Sequence, residues 1–214
     1  MDDKTRMTHI TGIAAPLLID NLDTDQIMPK QFLRIITREG LDKGVLFDLR
    51  FDPDGRPKPD FVLNRAEYKN ANILIGGPNF GCGSSREHAV WGLQQLGVGA
   101  VIAPSFGEIF FSNALNNRLL LIVLEPEKIA LLLQDLAIDK RLDIDLEKME
   151  IRCASHVFGF VLGARHKKMI VEGLDMVGAT MQLLPQIEAF EQTYHAAFPW
   201  GKVLFSEAPQ EASA

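Results

Sequence analysis

Between Ala71 and Leu136 short apolar runs alternate with helix-patterned segments, so each strand is followed by a helix before the next strand begins. Ala71–Ile75, Ala100–Ala103 and Leu119–Leu124 read as strands, and Arg86–Leu96, Ser105–Asn117 and Pro126–Leu136 as helices. Such alternation demands βαβ units, hence a parallel sheet buried on both faces with right-handed crossovers. Ser105 is placed to cap its helix, with Glu108 at capping-box distance. An earlier strand, Ile13–Ile19, ends in the turn-rich Asp20–Asp25. Gly40, Gly44 and the cluster Asp52–Pro59 break any long element, so about 30–60 reads as a long loop with one short helix. After Leu136 the character changes. Leu142–Asp145, Met149–Cys153 and His156–Leu162 read as further strands, and Ala164–Leu174 and Pro185–Ala197 as helices. No linker divides the chain. The expectation is one α/β domain over 1–214, with a mixed, partly parallel sheet flanked by helices and a helical arm over about 164–200.

With 214 residues and 47% apolar content the chain can bury a full core, and its formal charge of −6 argues against nucleic-acid or anionic-membrane partners. Met1–Lys4 lacks the plan of a secretory signal and no apolar run reaches membrane-spanning length, and two cysteines without a disulfide framework make the cytoplasm the expected compartment. Cys82 and Cys153, the two cysteines, give no disulfide framework and cannot alone hold a structural zinc or an iron–sulfur cluster.

The segment Gly77-Pro78-Asn79-Phe80-Gly81-Cys82-Gly83-Ser84-Ser85-Arg86-Glu87-His88 carries the chemistry. One reading is purely structural. Ser84 would cap the following helix and Glu87 would reach back, contributing roughly 0.5–2 kcal/mol. The other reading is an anion site. It uses two hydroxyls, glycines that admit a ligand to the backbone, the positive end of a helix and the Arg86 fork for a carboxylate, all at the C-terminal end of a parallel strand. Known phosphate cradles do not match: Gly-Lys-Ser/Thr is absent, and Arg86 stands where the dinucleotide fingerprint needs glycine. A hydrolase elbow fails at Glu87, and a Cys82–His88 nucleophile has no third member to complete it.

Three segments together resemble the swivelling domain of the aconitase-type hydro-lyases, and within it the bacterial small subunits of 3-isopropylmalate dehydratase. They are Phe80–His88; Asn21-Leu22-Asp23-Thr24-Asp25-Gln26-Ile27-Met28-Pro29; and Ala103-Pro104-Ser105-Phe106 with Phe110, Asn113 and Asn116-Asn117. The similarity runs from about Thr8 to Tyr194 and includes Glu172–Asp175. The resemblance implies a swivelling β/β/α domain that isomerises 2-isopropylmalate to 3-isopropylmalate, in leucine biosynthesis, by dehydration and rehydration. It implies Ser84 as the proton-abstracting base, Ser85 and Arg86 as carboxylate ligands, and Asp25 as a pocket residue. From residues alone Asp25 reads as turn chemistry. A [4Fe-4S] cluster is implied on a large-subunit partner rather than on this chain, which would be inactive by itself. A face near the turn is the expected interface.

Substrate choice is expected in Lys30–Ile36, where Phe32, Leu33 and Ile35 can form an apolar wall. Arg34 is a substrate-binding candidate, since related enzymes for tricarboxylates use an arginine near this position; a surface ion pair is its simpler fate. Smaller diacids (citramalate/citraconate or dimethylmaleate) and a non-catalytic anion-binding module are the rival functions. Arg165-His166-Lys167-Lys168 reads as a solvated basic face or as electrostatic help for a dianion.

Overall fold

The computed structural model describes residues 6–34 and 39–201. Strand β1 (His9–Leu17) leads into the one-turn helix α1 (Thr24–Ile27). An excursion follows, with 3-10 turns at Lys30–Phe32 and Leu41–Gly44 and the short helix α2 (Phe47–Arg50). The regular part is β2 (Ala71–Gly76), α3 (Glu87–Gln95), β3 (Ala100–Ala103), α4 (Glu108–Asn116), β4 (Leu120–Val123) and α5 (Pro126–Ile138). A meander of β5 (Arg141–Asp145), β6 (Glu150–Arg152) and β7 (Val157–Gly159) then runs into α6 (Ala164–Glu172). The seven strands form one sheet in the order β4-β3-β2-β1-β5-β6-β7. β1 to β4 are parallel; β5 pairs antiparallel with β1, and β6 and β7 continue that sense.

Side-chain alternation sorts the strands' residues onto two cores. Leu74, Val101 and Leu121 face α3 and α4, through Ala89, Val90, Leu93, Phe110 and Ala114. Ile73, Ile75, Ile102 and Ile122 face α5 and α6, through Ile129, Leu132, Leu136 and Ile170. The parallel half is thus buried on both faces, as its continuous apolar strands require. The excursion before β2 is not a loose loop. Leu41, Val45 and Leu46 are buried in the first core, and Leu46 N–H donates to Ile27 O at 2.9 Å.

Two carboxylates that carry no sequence signal organise the antiparallel half. Asp135 on α5 is only 2% exposed. Its Oδ2 accepts from Cys153 Sγ (2.8 Å), Ser155 N (2.9 Å) and His156 N (3.0 Å), and lies 3.1 Å from His156 Nδ1. The Cys153 hydrogen bond, then those of Ser155 and His156, hold this carboxyl well below the usual carboxylate range against the opposing effect of desolvation. Burial and the same carboxylate push the Cys153 thiol up to about 11, so it serves as a donor and not as a nucleophile. Asp145 likewise accepts from Glu147 N and Lys148 N, each at 2.9 Å, in the β5–β6 turn, and these bonds lower its pKa. A depressed folded-state pKa contributes stability above the unfolded value of about 4, and that stability is lost as pH falls below it. Asp135→Asn is therefore expected to lower the urea midpoint at pH 7, and the gap to wild type should narrow as pH falls below about 4. A constant gap would mean that charge at this position contributes nothing.

The described residues divide into two compact units, the second beginning at Met176. It consists of α7 (Met176–Met181), α8 (Leu184–Ala197) and a 3-10 turn at Pro199–Gly201. Within it Phe190, Tyr194, Phe198 and Trp200 form a ladder of rings with centroids 5.1–6.0 Å apart. α7 has no counterpart in the sequence reading. The short tail from Ser206 lies outside the described residues.

Candidate active site

Because β1, β2 and β3 are parallel, the loops leaving their C-terminal ends meet along one edge of the sheet. The loop after β2 is held between the other two. Gly81 N donates to Leu22 O at 2.7 Å and Thr24 N to Cys82 O at 2.8 Å, on the β1 side. Phe80 N donates to Ser105 O at 3.0 Å and Gly107 N to Phe80 O at 2.9 Å, on the β3 side. Gly81 sits at φ +74°, where an added Cβ would overlap the Phe110 ring. Gly83, at φ +94°, lifts the chain out of this packing, and Gly83, Ser84 and Ser85 are exposed.

The structural reading of the two serine-led helix starts is overturned. Helix α3 begins at Glu87 with Arg86 in the cap position and no side-chain cap. Ser84 is two residues too early, and its hydroxyl turns toward α1 instead. Glu87 accepts from Asn117 Nδ2, and Trp91 Nε1 donates to Asn117 Oδ1 at 2.9 Å, so the carboxylate ties α3 to α4. Helix α4 is preceded by Gly107, also without a side-chain cap, while Ser105 Oγ accepts from Asn79 N at 2.8 Å. The real capping box lies at Asp23–Gln26. Asp23 accepts from Gln26 N at 2.7 Å and Gln26 Oε1 accepts from Asp23 N at 3.1 Å. The Asp-x-x-Gln spacing was the available signal. It was hidden in a segment that reads as a turn.

That box starts α1 where Thr24 and Asp25 meet the serine turn. Ser84 Oγ donates to Asp25 Oδ1 at 3.2 Å and lies 3.1 Å from Thr24 Oγ1, which donates to Ser84 O at 3.0 Å. Arg86 Nη1 is 2.6 Å from Asp25 Oδ1, an ion pair by distance. Its N–H bonds are not aimed along that line, so Nη1 has no hydrogen-bond partner and the contact is Coulombic. The Nε–Nη2 edge carries no hydrogen bond to other described residues. Hence Ser84, Asp25 and Arg86 are brought together, with Ser85 exposed beside them.

Arg34 is exposed and makes no described contact with this group. Phe32 and Leu33 are half-buried against the first core, and Ile35 lies outside the described residues. Cys82 Sγ donates to Asn21 O at 3.3 Å and the His88 ring packs on Trp91 with centroids 4.9 Å apart, so the two do not form a nucleophile pair. In the basic segment, Lys167 Nζ donates to Glu147 O at 3.1 Å. Among the described residues no group of three or more His, Cys, Asp or Glu is placed to hold a metal ion. The donor set of this chain does not fit an iron–sulfur cluster. No helix among the described residues is long and apolar enough to cross a membrane.

A mixed sheet presenting an open serine–arginine turn at its parallel edge defines an aconitase-type domain, and the aconitase C-terminal domain model matches residues 4–127. A second family model, for the C-terminal domain of the 3-isopropylmalate dehydratase small subunit, matches 176–200. A 3-isopropylmalate dehydratase small subunit 1 from Chromobacterium violaceum is 55% identical over 93% of this chain and 95% of its own length. One from Mannheimia succiniciproducens is 47% identical over 92% and 99%. The crystal structure of a 3-isopropylmalate dehydratase from Methanocaldococcus jannaschii is similar with a TM-score of 0.62 at 28% identity, covering 85% of this chain and 99% of that one. The chain belongs to the family of 3-isopropylmalate dehydratase small subunits.

Proposed function

We propose that this chain, joined to a large subunit, supplies half of a hydro-lyase site that interconverts 2-isopropylmalate and 3-isopropylmalate by removing and restoring water. The observation that carries the reading is the exposed turn, where a hydroxyl, a carboxylate and a guanidinium stand within hydrogen-bond or ion-pair distance at the edge of a rigid sheet. Ser84 Oγ takes the proton from the carbon next to the departing hydroxyl. The alkoxide this needs is stabilised by the start of α3 and by the nearby guanidinium. Arg86 offers its free Nε–Nη2 edge to a substrate carboxylate, with Ser85 as a second donor. Asp25 holds the other side of that guanidinium and orients the Ser84 hydroxyl. Arg34, carried on the segment after α1, contacts the distal part of the substrate. Departure of hydroxide calls for a Lewis acid, which a [4Fe-4S] cluster on the large subunit would supply.

The substrate assignment is tested with the chain reconstituted with a cluster-loaded large subunit. Two carbons separate the isopropyl group from the methyl of citramalate, worth about 1.6 kcal/mol if buried, so kcat/KM should favour 2-isopropylmalate by about tenfold or more. Equal or inverted preference overturns the choice of diacid and leaves the hydro-lyase reading standing.

A further inference from the structure

Thr24 is 1% exposed, yet its hydroxyl touches both oxygens of the exposed Ser84, the carbonyl at 3.0 Å and Oγ at 3.1 Å. A threonine has one proton to donate. While the Thr24 hydroxyl donates to the Ser84 carbonyl, its oxygen is left as an acceptor, and the Ser84 hydroxyl donates to it or to Asp25 Oδ1 at 3.2 Å. Ser84 therefore has its hydroxyl bracketed on the protein side by Thr24 and Asp25. We infer that Thr24 is a positioning residue for Ser84, a role that rests on the reading of Ser84 as the base. It holds the Ser84 side chain in one orientation. Once Ser84 is anionic it also supplies a buried donor to the alkoxide.

The switch needs only rotation about the Thr24 Cβ–Oγ1 bond, from the Ser84 carbonyl to Oγ, with no change in heavy-atom distance. When the substrate proton arrives on Ser84 Oγ, the Thr24 hydroxyl swings back to the carbonyl and keeps its own proton throughout. The charged groups facing Ser84 are Asp25 and, through it, Arg86. Asp25 can only accept and disfavours an anion at 3.2 Å. Within this arrangement Thr24 is the neutral donor, and it comes from the packed interior, where a solvent molecule cannot replace it.

Thr24→Val keeps the branched shape and removes the hydroxyl; Thr24→Ser keeps the hydroxyl. In the reconstituted heterodimer T24V is expected to lower kcat at least about tenfold with little change in KM, because an oxyanion donor acts mainly in the transition state. The acid limb of the kcat/KM profile should move to higher pH, since loss of a donor to the anion raises the pKa of the base. T24S should restore both. In an S84A background T24V should have no further effect, because it acts through Ser84. Wild-type turnover and pH profile in T24V, beside a crippled S84A, overturn the role of Thr24 alone. Near-normal turnover in S84A overturns the reading on which it rests. If T24V does not assemble, Thr24→Ala against T24S carries the same comparison, and equal activity of those two overturns the inference.

Discussion

Replacing Ser84 by alanine is expected to reduce turnover of the reconstituted heterodimer by at least about a hundredfold, the loss typical of removing a general base. Stability of the chain should hardly change. Ser84 is exposed, α3 does not use it as a cap, and its backbone carbonyl still accepts the hydrogen bond from the Thr24 hydroxyl. The large subunit should still bind, since the substitution removes one exposed oxygen. Loss of kcat with intact assembly and an intact urea midpoint separates chemistry from folding. Were Ser84 only an anion ligand, KM would rise while kcat stayed near wild type, and that pattern would falsify its assignment as the base.

The second large effect is on stability. Gly81→Ala places a methyl group at φ +74°, in the left-handed region, and drives it into the Phe110 ring. The backbone cost is roughly 1–2 kcal/mol and overpacking adds about 1–3 kcal/mol, so together they remove much of a domain's usual 5–15 kcal/mol. Phe110 is 1% exposed and lies in T-shaped contact with Phe80, so it cannot move aside. Urea denaturation of the free chain measures this loss. Gly83→Ala is the control: its φ is +94°, but the nearest atom to the new Cβ is 3.5 Å away, leaving only the backbone cost. Phe110→Leu in the G81A background should recover the packing share and not the conformational share. Equal midpoints for G81A and G83A would dismiss the clash with Phe110.

Local pattern was enough for the parallel half of the fold. Ala100–Ala103 has the same bounds in sequence reading and structure, and the strands at 71 and 120 and helix α5 differ by one or two residues at their ends. Apolar runs buried on both faces leave few alternatives. Caps were less legible. Ser84-x-x-Glu87 and Ser105-x-x-Glu108 fit the capping-box spacing, but both helices begin later. Hydrogen bonds between loops claim Ser84 and Ser105 first, and the tie between α3 and α4 claims Glu87. Asp23-x-x-Gln26 forms a box inside what reads as a turn, because Thr24 N is already fixed to Cys82 O. Asp135 shows the same limit. Its partners at Cys153, Ser155 and His156 come from another part of the chain, so nothing near it in sequence marks it as a structural centre.

Residue order alone dictated a βαβ core, a glycine–serine–arginine turn after its second strand, and cysteines too few to bind a cluster. These follow from periodicity, backbone freedom and ligand count, which are local or compositional properties. Tertiary structure decided which groups surround the Ser84 oxygen. Thr24 and Asp25 lie about sixty residues away and reach it only because parallel pairing of β1 with β2 sets their C-terminal ends side by side.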